Sequence, residues 1–324
     1  MNHLPVTIGD VERAAGVLAG FARRTPLIPL DRLGEVWVKP ENLQRTGSFK
    51  FRGAFNRLSA FTTEQRRRGV VTDSSGNHAQ GVACAAQLLS IPATIVIPVG
   101  APEVKVQGTL SYGATVVRCG PSSDERQAMA RELEIRDGLT YAPPFDDPLI
   151  IAGQGTVGLE LVQDLRVIGL EPSLVVVPVG GGGLSSGVVT AVKALCPAAT
   201  VVGVEPELAA DGAQSLREGR RVAWSASDCA RTMADGVRTQ RIGELNFAIL
   251  SALMDGIVTV SEDAIAAATV WLATRSKLVV EPTGALPLAA LLAGRLPVTR
   301  GPVVLVLSGG NIDPAALAAL LMLH

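Results

Sequence analysis

Eight short Val- and Ile-rich runs recur along the chain, most of them followed by a stretch of helical period, and this alternation limits the fold more than any other feature. The runs lie at 36–39, 69–73, 93–98, 114–119, 174–180, 200–205, 256–261 and 303–308. They are apolar throughout, as parallel strands must be when helices cover both faces. The segments 77–89, 123–137, 184–195 and 262–275 have helical period. Strand then helix, repeated, predicts an α/β chain: two lobes, each with a mostly parallel sheet flanked by helices. A length of 324 residues suits two lobes. The passage YAPPFDDP at 141–148 reads as a linker, which places a small lobe at 69–146 inserted into a large one of 1–68 plus 147–324.

Charge and cysteine content exclude several function classes. With 29 basic and 30 acidic residues the net charge is −1, which offers no field for nucleic acid or an anionic membrane. No long apolar run reads as a bilayer span, and the N-terminus lacks the pattern of a signal peptide, so a cytoplasmic protein is expected. Cys84, Cys119, Cys196 and Cys229 form no CxxC pair and read as reduced and mostly buried. Of three histidines, His3 and His324 sit near the chain ends and only His78 is internal. A Ser-His-Asp hydrolase or a His-rich zinc site needs more imidazole than this.

The chemistry concentrates at two places. In VVVPVGGGGLSSG a strand runs into Gly180, Gly181, Gly182 and Gly183 and then into a helix. Four glycines cost backbone entropy, so they belong where the main chain must approach a ligand and aim N–H groups at an anion. The following helix N-terminus makes phosphate the natural guest. No Gly-Lys-Ser/Thr follows, and the GxGxxG spacing fails, so neither a P-loop nor a dinucleotide fold is supported. A tight turn without a ligand would need only one or two glycines. The second place is GSFKFRGA, where Lys50 stands between Phe49 and Phe51 at a helix start. A lysine on an amphipathic helix is ordinarily solvated. Here Phe51, Phe55 and Leu58 form a buried stripe, while Gly53 and Ala54 should leave open space one turn along. A desolvated amine becomes a base or nucleophile near neutral pH. A phosphate cradle, an activated lysine and little histidine suggest pyridoxal phosphate, acting as an electron sink.

These motifs, in this order, resemble the fold-type II, or tryptophan-synthase-β-like, pyridoxal phosphate enzymes, and within them the serine/threonine dehydratase and serine racemase branch. The resemblance runs from RTPL at 24–27 through SSGNHAQGVA, IAGQGT, GGGG and VEPTGA to SGGNID at 308–313. It implies that Lys50 is the Schiff-base lysine and that Phe49 packs against the cofactor ring. It implies a phosphate loop of Gly180, Gly181, Gly182, Gly183 and the Leu184 backbone. Asn77 would hydrogen-bond the ring's 3′ oxygen, although an asparagine there could equally cap the helix. Ser74, Ser75, Gly76, Asn77 and His78 would grip the substrate carboxylate, and His78 is given no proton transfer. Ser308 would face the pyridine nitrogen. A hydroxyl there holds the ring proton poorly and favours β-elimination. Glu205, the Ala209 carbonyl and Asp211 match positions that bind Mg²⁺ or Ca²⁺ in this branch; two surface carboxylates are the plainer alternative.

The resemblance therefore implies a lyase that deaminates L-threonine or L-serine to 2-oxobutanoate or pyruvate plus ammonia, in a homodimer. Serine racemisation is the nearest alternative, with Ser75 as the acid on the opposite face of Cα. Phe145, where racemases carry a polar residue, speaks for dehydration. A 3-hydroxyaspartate dehydratase stays open, since pocket selectivity is worth only about 1–3 kcal/mol per methyl group. Cysteine synthase is disfavoured because SSGNHAQ replaces TSGNTG. A non-catalytic module would have lost Lys50 or the glycines, and both are present. The chain ends soon after SGGNID, so no isoleucine-binding regulatory domain is expected.

Overall fold

A computed structural model describes residues 4–74, 76–101, 103–120 and 123–323; Ser75, named above as a substrate-binding and acid residue, lies outside them. In chain order the strands are β1 (Ile28–Pro29), β2 (Val36–Pro40), β3 (Val70–Asp73), β4 (Ala93–Pro98), β5 (Thr115–Cys119), β6 (Thr140–Tyr141), β7 (Leu174–Pro178), β8 (Thr200–Pro206), β9 (Gly256–Val260) and β10 (Val303–Leu307). They form a six-stranded sheet ordered β1-β2-β10-β7-β8-β9 and a four-stranded sheet ordered β5-β4-β3-β6. All neighbours are parallel except β1 and β2.

The apolar runs become these strands because both faces are covered. All five residues of β7 are buried, and β10 is buried from Val304 to Leu307. One core cluster packs Val175 and Val177 with Val188 and Val189 of the Gly183–Leu195 helix. A second packs Val176 and Leu305 with Leu286 and Ala289 of the Pro282–Leu292 helix. The linker reading of 141–148 gives way at its first residue, because Tyr141 is in β6 and pairs with Val71. The helix expected over 262–275 runs from Glu262 to Trp271 and continues as a π-turn over Leu272–Ser276. Cys84, Cys119, Cys196 and Cys229 are free and buried.

The Lys50–Ser59 helix lies beside the Pro148–Val167 helix. Phe51, Phe55 and Leu58 are its buried stripe, as expected. Gly53 does not open a space. A Cβ there would lie 2.3 Å from Gln154 Nε2 and 2.8 Å from the Ile150 carbonyl, and one on Gly153 would lie 2.7 Å from the Gly53 Cα. The two glycines let the helix backbones touch. An ionic cluster locks the same contact. Arg52 reaches Glu41 at 2.8 Å and Glu160 at 2.6 Å, while Lys39 reaches Glu160 at 2.8 Å and Asp164 at 3.2 Å. Arg52, Glu41 and Lys39 are fully buried.

Candidate active site

Lys50 opens its helix, with Phe49 at the N-cap donating its N–H to the Ser308 carbonyl at 3.1 Å. The lysine keeps some accessible surface, yet Nζ donates to the Pro144 carbonyl at 2.7 Å and lies 5.4 Å from the Phe49 ring centre. Burial among these groups lowers its ammonium from the ordinary 10.5 to about 8.

The glycine run follows β7 directly. Gly182, at φ +98°, is the N-cap of the Gly183–Leu195 helix, in the left-handed region that favours glycine. The first amides of that helix have no intrahelical partner and form an anion-binding end. A Cβ on Gly181 would lie 2.3 Å from the Phe145 ring, on Gly182 2.7 Å from the Asn246 side chain, and on Gly183 3.0 Å from Phe145 Cβ. On Gly180 it would lie 3.1 Å from Val237. The glycines therefore also admit Phe145 and Asn246 on one side. Leu184 is buried. The linker is pinned beside them: Asp146 accepts from the Glu244 and Leu245 amides at 2.9 and 3.0 Å, and Asp147 caps the Pro148–Val167 helix.

Ser308 follows β10, is buried, and its Oγ has no hydrogen-bond partner. An orphaned buried hydroxyl costs free energy unless something absent here satisfies it, and a pyridine nitrogen fits that need. Asn77 does not cap its helix; Gly76 holds the N-cap position of Asn77–Leu88. Instead Asn77 Nδ2 donates to Glu281 Oε1 at 2.6 Å, and its Oδ1 accepts from Asn311 Nδ2 at 2.7 Å. Ser74 Oγ accepts from the Gly76 amide at 3.4 Å. The His78 ring is buried and points away from solvent, with Nε2 donating to the Ala142 carbonyl at 3.1 Å. Burial and the nearby Lys50 charge lower it to about 3, so it is neutral at working pH.

Glu281 carries no role in the sequence reading beyond its place in VEPTGA. It is the buried N-cap residue of the Pro282–Leu292 helix. Burial and then the Asp235 charge raise its carboxyl to about 7, against the opposing Asn77 bond. An acid stranded between apolar residues and a proline was the available signal. Asn311, in SGGNID, was missed in the same way.

Glu205 and Asp211 are both buried, which removes the reading of surface carboxylates. Glu205 accepts from the Gly212 and Ala213 amides at 3.0 and 2.7 Å, while both Asp211 oxygens are buried without a partner. Burial and the Asp211 charge push Glu205 well above the carboxylate range, and burial raises Asp211 to about 7. Ala209 is buried between them in sequence. Among the described residues no cluster of three or more His, Cys, Asp or Glu side chains could hold a metal. The two carboxylates with main-chain oxygen suit a hard divalent cation.

Comparison with known proteins agrees with this geometry. Residues 18–309 match the family described as "Pyridoxal-phosphate dependent enzyme". The chain is 41% identical over 320 residues to L-threo-3-hydroxyaspartate ammonia-lyase of Saccharomyces cerevisiae, covering 97% of this chain and 96% of that one. It is 41% identical over 317 residues to serine racemase of Schizosaccharomyces pombe, covering 96% of each. The crystal structure of threonine deaminase from T.th. superposes with a TM-score of 0.89 at 47% identity, over 95% of this chain and 99% of that one. With its lysine, its glycine-bounded helix end and its orphaned strand-end hydroxyl, the chain belongs to the pyridoxal-phosphate dependent enzymes of fold type II, in the ammonia-lyase and racemase family.

Proposed function

We propose that the protein is an ammonia-lyase acting on L-threonine and L-serine, releasing 2-oxobutanoate or pyruvate and ammonia. The observation that carries this reading is Phe145: its ring stands against Gly181 and its Cβ and backbone against Gly183, one residue from the carbonyl that orients Lys50 Nζ. An apolar wall there suits a side chain bearing a methyl group, and the likeness to threonine deaminase supports the same choice.

In this reading Lys50 Nζ would hold the cofactor, and the amides of Gly180–Leu184 would hold its phosphate. Ser308 Oγ would meet the ring nitrogen, Asn77 the ring oxygen, and Phe49 would pack against the ring. The cofactor supplies an electron sink for the pair left when the Cα–H bond breaks. Once the substrate amine has displaced it from the cofactor, Lys50 Nζ would be free to take the Cα proton. Its lowered pKa keeps enough amine uncharged near neutrality, and general-base catalysis of this kind contributes roughly 10²–10⁴-fold. The loop Ser74–His78, at the N-terminus of the Asn77–Leu88 helix, holds the substrate carboxylate through its amides. His78, being neutral, adds no charge beside Lys50. Ser308 offers the ring a hydroxyl where a carboxylate would deepen the sink, so hydroxide leaves Cβ before the proton returns to Cα. The released enamine takes up water and gives the 2-oxoacid and ammonia.

Two supporting elements belong to the same reading: a Mg²⁺ or Ca²⁺ ion on Glu205, the Ala209 carbonyl and Asp211, and assembly as a cytoplasmic homodimer. The test incubates holoenzyme with L-threonine, L-serine and L-threo-3-hydroxyaspartate, scoring 2-oxoacid and inverted enantiomer in the same tubes. Most 2-oxoacid is expected from L-threonine and L-serine. D-serine without pyruvate would instead make Ser75 the Cα acid of a racemase, and oxaloacetate alone would make the substrate hydroxyaspartate.

A further inference from the structure

The 3₁₀ turn Asp235–Val237 occupies a central place for so short a segment. Val237 lies against Gly180, where a Cβ would be 3.1 Å from its Cα. Gly236 donates its amide to Thr283 Oγ1 at 2.9 Å, in the first turn of the helix that Glu281 caps. Asp235 pairs with Lys105. Lys105 belongs to the Glu103–Leu110 helix of the four-stranded unit, whereas the turn belongs to the six-stranded one. The ion pair thus joins the two units. The Glu103–Leu110 helix packs on Asn77–Leu88, and a Cβ on Gly108 would lie 3.1 Å from the Gln80 side chain. Asn77 starts that second helix and crosses to Glu281.

We propose that Lys105 and Asp235 form a latch across the mouth of the site, holding the Asn77–Leu88 helix over Lys50 and the glycine cradle. The pair rests on the lyase reading only for its catalytic consequence. Both partners are positioning residues that leave 19% and 37% of their side chains in contact with solvent, so salt screens the pair in part and it can open. It therefore favours the closed arrangement without sealing it.

Two measurements test it. In the cofactor-free protein, hydrogen exchange of residues 77–88 and 103–110 should quicken severalfold in Lys105→Ala relative to wild type. In the holoenzyme the same change should raise KM for L-threonine roughly threefold with kcat within twofold, the scale of a partly solvated ion pair. Lys105→Asp combined with Asp235→Lys should restore both values. The wild-type KM should rise with salt and the Lys105→Ala KM should not. Unchanged exchange, or a double swap no better than Lys105→Ala, overturns the latch. Loss of the lyase reading would show separately, as wild-type protein that releases no 2-oxoacid while the exchange difference persists.

Discussion

Glu281 and Lys50 are a buried acid and a half-buried amine in one site, and burial shifts both toward their neutral forms. Glu281 has a folded pKa of about 7 against an ordinary 4.5. The folded chain therefore keeps a proton that the unfolded chain has released between those values. That stabilisation is complete below about pH 4.5 and is lost as pH rises through 7. At 1.36 kcal/mol per unit it amounts to about 3 kcal/mol. Glu281→Gln keeps an acceptor for Asn77 Nδ2 and removes the titration. Urea unfolding of cofactor-free protein at pH 5 and pH 8 should show wild type losing about 3 kcal/mol more than the variant; equal losses would show that Glu281 titrates normally. Lys50, Asn77, Ser308 and the glycines were legible in the sequence because each stands in a compact motif. Glu281 and Asn311 were not, because what distinguishes them is a cross-chain contact to Asn77 over 204 and 234 residues.

At the scale of elements, the position of Lys50 depends on how its helix is seated. Arg52 is two residues on, fully buried, and shared between Glu41 and Glu160. Removing it leaves Glu41 without its cation and Glu160 with Lys39 alone, and breaking a buried pair costs about 3–5 kcal/mol. Arg52→Ala should therefore lower the unfolding free energy by that amount, read from urea midpoints at constant slope. A loss under about 1 kcal/mol would mean that water replaces the guanidinium. Local pattern revealed the strands, since continuous apolar runs report two covered faces, and it revealed the stripe of Phe51, Phe55 and Leu58. It misjudged Gly53. From local sequence a glycine beside a lysine reads as open space, but here it marks the contact with Gly153, 100 residues away. The ionic cluster stayed hidden too, because Lys39 and Arg52 look like ordinary surface charges until Glu160 and Asp164 arrive from another helix.

Across the whole molecule, two sheets meet where Lys50, the Asn77 helix and the glycine cradle converge, and we propose that they move as two lobes joined near residues 142–147. The Glu205–Asp211 pair lies in the larger sheet's layer, behind the cradle: Ile242 touches the glycine run at 182 and would also meet a Cβ on Gly212. Two adjacent buried carboxylates repel, so a cation that binds only the folded state should stabilise the chain by about 3 kcal/mol at a hundredfold excess over its Kd. Chelation should lower the melting temperature by several degrees. Asp211→Asn should melt higher than wild type in chelator and should not respond to Mg²⁺ or Ca²⁺. Identical responses in the two proteins would remove the cation from the account.

The assignment of the cofactor to Lys50 is read out by borohydride reduction of the yellow holoenzyme followed by peptide mass mapping. One pyridoxyl mass increment is expected, on the peptide containing Lys50, with no colour in Lys50→Ala. A reduced adduct on any other lysine, with Lys50 unmodified, would contradict it.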